Sequence, residues 1–593
     1  MEYDNIKQNV SQNAYKNIVK WLSEPKYQMY KAELEQLIAN EKWQELEDAF
    51  FKVLEFGTAG RRGVAGIGSN RMNKVTVGES AQGLCEYAQS VDERAPQKGI
   101  VIAYDTRLTS PELSRYAAQV CAANGFKTYL FDGFRATPEL SFAVRHLGAA
   151  AGIVISASHN PPSDNGFKAY WSDGGQLVSP HDKGVMEYGE KVTQIHDIEY
   201  EYALEAGTIE LIGDEVDTAY IQAIAEQAEG NERGIHIVYS PLHGTGQRSV
   251  LPALKHVGFS DISVVEAQMT PDGNFPTVPN NRSNPEDRPA NDMAVAQLLE
   301  EKADIALTND PDADRIGVMV RQGDEVVYLS GNQSAVLAAD YILSKQQAKN
   351  GLTPKHYLAK TIVTTDMLNA IADKYNVNVI DNLLIGFKYI GEVLLEKEGT
   401  DEVFVMGGEE SFGMLKGTYA RDKDGATGAL PLAEYAAELK KDHKTLYDRL
   451  IELFAEHGIY TETLTSVFFY GADGFQKMQN IMTQLRDDTP VKLAGYEVSA
   501  VQDFTTLKRT DVKTNEETDI NCIKGNVLVF ELGDKRRRIT IRPSGTEPKL
   551  KFYIQWFDEA GSKNSNEVRE QYQKVQQELN TLVVALKDQI TNS

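Results

Sequence analysis

The sequence predicts an α/β protein of several domains: three related α/β domains with mixed sheets, followed by an α+β domain of another type. Three observations carry this. The chain has 593 residues, more than one hydrophobic core can organise, and the length suggests about four domains. A strand, helix, Gly-Phe, strand plan runs through residues 98–133 and 233–267 and returns more loosely at 355–382, the signature of repeated α/β units. Each copy is followed by a second apolar strand that runs into a polar loop: "AGIVIS" into "ASHNP", "ADIALT" into "NDPDADR", "EVFVMG" into "GEESFG". The expected boundaries are 1–215, 216–324, 325–455 and 456–593.

Taken in order, the first 55 residues have helical apolar spacing and few β-branched runs, which predicts two helices. The glycine-rich stretch "FGTAGRRGVAGIGSNRMN" reads as a loop. The three repeats follow. The last ~135 residues differ, with "RRRITIRPSGTEPKLKFYIQWF" reading as strand, loop, strand before a long amphipathic closing helix. Composition is that of an ordinary soluble protein, 41% apolar and 25% charged. No apolar segment approaches the ~20 residues that span a bilayer, and the acidic start carries no secretory pattern. Three distant cysteines, Cys85, Cys121 and Cys522, make neither a disulfide framework nor a zinc site and fit a cytoplasmic setting. A net charge of −25 argues against nucleic acid as a partner. The basic stretch 535–551 suits a small anion better.

The loops lie where open α/β sheets place their ligands, beyond the carboxyl ends of strands. Ser158 sits in "SASHNPPSDNGFK", but its neighbours do not make the G-x-S-x-G elbow of an esterase. His159 beside it suggests a Ser–His pair; adjacent residues of an extended loop point to opposite sides, so a loop-orienting hydrogen bond is the plainer reading. Lys168 ends the same loop and could serve as a base or a charge anchor. Asp310, Asp312 and Asp314 recur at alternate positions, which in an extended segment gathers three carboxylates on one side, where they repel unless a cation lies between them. An EF-hand fails, because Arg315 and Arg321 stand where glycine and glutamate belong. Hard oxygens in this number suit Mg²⁺. "RPSGTEPK" offers Arg542, Ser544, Gly545 and Thr546 to a phosphate, or is a hairpin with a basic rim. Glu409 and Ser411, alternate in "GGEESFG", could read sugar hydroxyls if extended, or belong to a glycine-rich turn. "HGTGQRS" at 243–249 mimics a dinucleotide fingerprint, but Ser249 replaces the third glycine, and a structural turn is expected. Together the loops specify phosphoryl transfer, which needs positioning and cationic stabilisation more than a strong base.

"SASHNPPSDNGFK", "NDPDADR", "GEESFG" and "RPSGTEPK" appear in the order and spacing of the α-D-phosphohexomutase superfamily, and the helical start with "LEFGTAGRRG" resembles its long phosphoglucomutase/phosphopentomutase branch. The resemblance implies four domains around a central cleft, the last like the TATA-box-binding protein. It implies that Ser158 is a phosphoserine and, with Asp310, Asp312 and Asp314, a Mg²⁺ ligand. Arg62 and Lys168 match positions for proton transfer and charge stabilisation, and Glu409 and Ser411 the sugar readers. Arg315 and Lys423 match substrate contacts, and Arg542, Ser544, Gly545 and Thr546 the anchor of the unreacting phosphate. The catalytic set is thus Ser158, Lys168, Arg62 and His159. Arg61 stands at a usually apolar position, Ile385 where a threonine often lies near the sugar, and Phe412-Gly413 where the mannose/glucose branch has a histidine. The implied activity is interconversion of glucose 1-phosphate and glucose 6-phosphate, with Mg²⁺ and a sugar 1,6-bisphosphate as intermediate and activator. A phosphopentomutase or phosphomannomutase of the same fold, a silent sugar-phosphate sensor and a phosphatase are the alternatives. The partner is a small phosphosugar; no membrane or nucleic acid is expected, and the chain could be a monomer or a dimer.

Overall fold

The computed structural model describes residues 4–55, 57, 60–469, 474–544 and 548–591. The chain divides into two compact units. One comprises residues 1–328 with 391–400 and 413–437; the other comprises 329–390, 401–412 and 438–593.

The first unit opens with four α-helices rather than two, Asp4–Asn9, Gln12–Ser23, Lys31–Ala39 and Trp43–Phe50, and a 3₁₀ segment Pro25–Tyr30. The breaks have local causes. The Ser11 hydroxyl caps the second helix by accepting from the Ala14 amide, Pro25 opens the 3₁₀ turn, and Glu41 takes a left-handed φ of 54° between the last two helices. These helices close over Trp21, which stacks on Tyr27 at 4.7 Å and meets Phe50 edge-on at 5.3 Å. Ile67 and Val75, from the loop and helix that follow, join the same core.

The first α/β sheet contains β1 (Arg61–Val64), β2 (Ile100–Tyr104), β3 (Thr128–Phe131), β4 (Ala151–Ile155), β5 (Asp164–Trp171) and β6 (Ile209–Ile212), in the order β1-β5-β4-β2-β3-β6. Strands β4, β2, β3 and β6 run parallel, β5 pairs antiparallel with β4, and β1 pairs antiparallel with β5. The second sheet has β7 (Ile237–Ser240), β8 (Ile262–Val264), β9 (Ile305–Asn309), β10 (Ile316–Gln322) and β11 (Glu325–Leu329), in the order β11-β10-β9-β7-β8. In both, the first strand of the repeat lies between the second strand of the repeat and the strand that enters the polar loop. The fully buried Ile153, Ile155 and Phe167, each worth roughly 1.5–3 kcal/mol on burial, fix the register that carries residue 158 beyond the end of β4. Gly166 in β5 pairs with Arg62, and a Cβ there would lie 2.4 Å from the Ser156 carbonyl oxygen.

The second unit repeats the arrangement with β12 (His356–Thr361), β13 (Asn378–Leu383) and β14 (Val403–Gly408), β12 pairing parallel with both others. Its C-terminal part is of another type, as expected: a seven-stranded sheet in which Ile459–Phe468, Lys549–Asp558, Asp534–Pro543, Leu528–Leu532, Ala500–Asp503, Lys508–Asp511 and Glu517–Asp519 pair antiparallel in that order. Helix Ser565–Thr591 buries Val568, Tyr572, Val575, Leu579, Leu582, Leu586 and Ile590 along one stripe. No described helix is long and apolar enough to cross a membrane.

Candidate active site

Within the first unit the structure gathers Ser158, His159, Arg62, Lys168, Asp310, Asp312, Asp314, Arg315 and Lys423 at the carboxyl ends of β4 and β9. The means differ from those expected. The aspartates are not on an extended segment. They sit on a tight turn in which the Ala313 amide donates to the Asp310 carbonyl at 2.9 Å and Ala313 itself has φ 52°. That reversal, not strand alternation, brings one oxygen from each carboxylate within 4.8 Å of the others. Likewise Ser158 has φ 51°, so it and His159 do not point apart: the Ser158 Oγ lies 3.1 Å from His159 Nδ1.

The Ser158 hydroxyl donates to Asp310 Oδ2 at 2.7 Å. Lys168, on β5, donates to Asp312 Oδ2 at 2.6 Å and lies 3.6 Å from Asp314 Oδ2. Lys423 reaches Asp314 Oδ2 at 2.9 Å. The Arg315 amide donates to Asp310 Oδ1 at 3.1 Å, and its guanidinium pairs with Glu286. Of the two adjacent arginines, Arg61 turns to Glu79, at 2.7 Å, and the Thr76 carbonyl, whereas Arg62 reaches Asn160 of the serine loop at 3.4 Å. Arg62 is therefore the arginine of this site.

Burial dominates the electrostatics. It pushes the Asp310 carboxyl well above its usual range, reinforced by Asp314 and Asp312. Burial works the same way on Asp312, but the Lys168 ammonium outweighs it and holds that carboxyl well below. Burial, then Arg315 and Arg62, depress His159 far enough to keep the imidazole neutral. Asp312 Oδ1 and Asp314 Oδ1 are buried and have no hydrogen-bond partner among the described residues. Unpaired carboxylate oxygens this deep are costly unless a cation takes them. The donor set therefore fits a hard divalent ion held by Asp310, Asp312 and Asp314 beside the Ser158 oxygen.

Two residues that complete the site escaped the sequence reading. Arg107, 1% exposed, donates to the backbone carbonyls of Ser158 and Asn160, both at 2.6 Å, and of Pro161 and Asp164 at 2.6 and 2.9 Å. Asp105 holds its Nε at 3.2 Å, and the Phe275 ring lies 5.3 Å from the guanidinium carbon. Thr137 donates its hydroxyl to Asp312 Oδ2 at 2.7 Å and its amide to the Asp312 carbonyl at 2.9 Å. The signal was the position of "DTR" directly after β2, at the carboxyl edge of the sheet. The Lys423 loop is braced by Tyr170, donating to Asp422 at 2.7 Å, and by Tyr220 and Tyr419, both donating to Asp424. "HGTGQRS" is structural, as expected. A Cβ on Gly244 would meet Pro311 at 2.5 Å and one on Gly246 the Tyr239 hydroxyl at 2.2 Å.

Glu409, Ser411, Arg542 and Ser544 belong to the second unit. Glu409 and Ser411 follow β14 in a turn, with Phe412 at φ 67°, rather than in an extended segment. Gly331 lets a helix start against that turn, since a Cβ there would sit 2.2 Å from the Glu410 carbonyl oxygen. Arg542 pairs with Lys551 across the C-terminal sheet, and the Ser544 amide donates to the Lys549 carbonyl at 2.9 Å. Gly545 and Thr546 lie outside the described residues.

Comparison with known proteins agrees with this arrangement. The α/β/α domains I, II and III of phosphoglucomutase/phosphomannomutase match residues 53–196, 218–323 and 330–454. A phosphoglucomutase of Staphylococcus epidermidis is 35% identical over 521 residues, spanning 87% of this chain and 93% of that protein. One of Staphylococcus haemolyticus is 36% identical over 514 residues, 86% and 91%. Among solved structures, pp63/parafusin, a phosphoglucomutase from Paramecium, superposes with a TM-score of 0.64 at 18% identity, covering 90% of this chain and 95% of its own. A phosphoglucomutase/phosphomannomutase family protein of Burkholderia thailandensis gives 0.61 at 18% identity, covering 90% and 98%. Three matched domains in order, on the sheets and loops just described, establish that this chain belongs to the phosphoglucomutase/phosphomannomutase family.

Proposed function

We propose that the protein is a phosphoglucomutase, an intramolecular phosphotransferase interconverting glucose 1-phosphate and glucose 6-phosphate through phospho-Ser158. One observation carries the reading: the Ser158 oxygen sits 2.7 Å from a carboxylate of a buried three-aspartate turn whose other two members hold lysines. The 6-hydroxyl of glucose 1-phosphate attacks the phosphorus of phospho-Ser158 as the P–Oγ bond breaks, giving a 1,6-bisphosphate and free Ser158. The proton of the attacking hydroxyl leaves to a base, and the released serine oxygen takes one up. Among the described residues, Asp310 and His159 are the groups within hydrogen-bond reach of that oxygen. After the bisphosphate reorients, Ser158 takes the 1-phosphoryl group, leaving glucose 6-phosphate. Asp310, Asp312 and Asp314 would hold Mg²⁺, which would supply charge neutralisation at the phosphoryl oxygens.

Lys168, Arg62, Arg315 and Lys423 add fixed positive charge around the same oxygens. Glu409 and Ser411 read sugar hydroxyls, while Arg542, Ser544, Gly545 and Thr546 grip the phosphate that is not reacting. A cytoplasmic setting suits three free cysteines, two of them buried. The sugar is tested by following isomerisation of glucose, mannose and ribose 1-phosphates with a bisphosphate primer. Brisk turnover of the ribose ester alone would make the protein a phosphopentomutase. Intact mass rising by about 80 Da after priming in the wild type, but not in Ser158→Ala, would identify the phosphoserine.

A further inference from the structure

Lys168 and Lys423 are fastened to the carboxylates that would hold the ion. Their side chains are only 8% and 12% exposed, and their ammonium groups lie 2.6 Å from Asp312 and 2.9 Å from Asp314. Arg315 adds a third cation, its Nε 3.9 Å from Asp310 and 3.8 Å from Asp314. The wider shell contains Glu286 on Arg315, Asp422 at 3.6 Å from Lys423, and Arg62, which feels Asp312 and Asp314. Among the described residues, five carboxyl groups thus face four cations. Three aspartates alone would draw a dication strongly; this set is nearly balanced, so its pull is far weaker at the same geometry.

We propose that Lys168 and Lys423 are resident counter-cations of the aspartate turn. They keep the three carboxylates gathered when no ion is bound, and they set the affinity for a divalent ion low. When an ion neutralises the turn, their ammonium groups are released toward phosphoryl oxygens. The same two side chains therefore link metal occupancy to phosphate binding. The inference rests on the divalent-ion reading given above and adds to it the residues that tune that site.

Removing one ammonium leaves a buried carboxylate uncompensated, which raises the pull on a dication. The test uses Mn²⁺ alone as probe on the full-length, unphosphorylated chain, with free Mn²⁺ measured by electron paramagnetic resonance. Lys423→Met and Lys168→Met are each expected to tighten Mn²⁺ binding about tenfold or more. Lys423→Arg, which keeps the charge, should remain within about twofold of wild type. Mn²⁺ should also raise the melting temperature of the methionine variants more than that of the wild type. Should Lys423→Met not fold, Lys423→Gln makes the same change of charge. Wild type that binds Mn²⁺ while both methionine variants bind equally or more weakly overturns the counter-cation role and leaves the metal site standing. If neither wild type nor any variant binds Mn²⁺, the metal site itself is wrong and the inference falls with it.

Discussion

In the serine loop, Arg107 donates to four backbone carbonyls and leaves the reacting hydroxyl untouched. In the aspartate turn, Lys168, Lys423 and Thr137 fasten on the carboxylates themselves. Both loops follow equivalent strands, β4 and β9, and both contain a residue forced into the left-handed region. The difference follows from what each must do. On the proposed function, Ser158 alternates between hydroxyl and phosphate ester and changes charge and size every turnover, so its loop is held from behind, by main-chain contacts that do not sense the change. On the same reading, carboxylates that wait for a cation can be held directly, by partners that must let go.

Breaking each anchor should have a different signature. Largest is Ser158→Ala, which removes the transferable group; mutase activity is expected to fall at least about 10⁴-fold, with no primed mass increase and with Mn²⁺ binding largely retained. Next, Arg107→Met should lower kcat about 10²-fold with little change in KM, because the serine loop loses its clamp while the sugar contacts remain. Arg107→Lys should recover little, since one ammonium cannot reproduce a fork that reaches four carbonyls. Thr137→Val, which strips one hydrogen bond from Asp312, should weaken Mn²⁺ affinity roughly 10-fold and leave the serine loop intact; an equal effect on priming by bisphosphate would blur the distinction between the two loops.

The second unit sharpens the contrast with a cluster of paired charges beside β12. Lys360 and Arg538 share Asp366 at 2.9 and 2.8 Å. Beside them, burial pushes Glu462 up from 4.5 to about 7, with Asp366 adding to the rise. The folded state thus binds this proton more tightly than the unfolded chain, so the charged form costs stability as pH climbs from the ordinary carboxylate range through 7. Glu462→Gln should be more stable than wild type by about 2 kcal/mol near pH 8 and little different near pH 5, measured by thermal unfolding. A constant difference across that range would remove the proton linkage.

The residue types of the site were legible from the sequence, and their conformations were not. Asp310, Asp312 and Asp314 announced a cation through repulsion alone. The turn that unites them depends on Ala313 adopting a positive φ, which no propensity of alanine suggests. Ser158 and His159 posed the same difficulty: hydrogen bonding between neighbours needs a backbone kink, and the kink is sustained by Arg107, about fifty residues earlier. The N-terminal helices were legible as helical and not as four, because a serine cap, Pro25 and one left-handed glutamate divide a continuous apolar rhythm. The threefold repeat was legible throughout, since period-2 and period-3.6 patterning survive without tertiary help.

Gly166 carries no chemistry and sits in mid-strand, yet its α-carbon rests against the Ser156 carbonyl. Adding one methyl group there would wedge β5 away from the root of the serine loop, and with it Lys168 two residues on. Natural variation at this position is thus constrained by shape alone. A relative that had kept every reactive side chain but exchanged this hydrogen for a larger group would be expected to have lost catalysis, and a survey that inspected only the reactive side chains would pass it as competent.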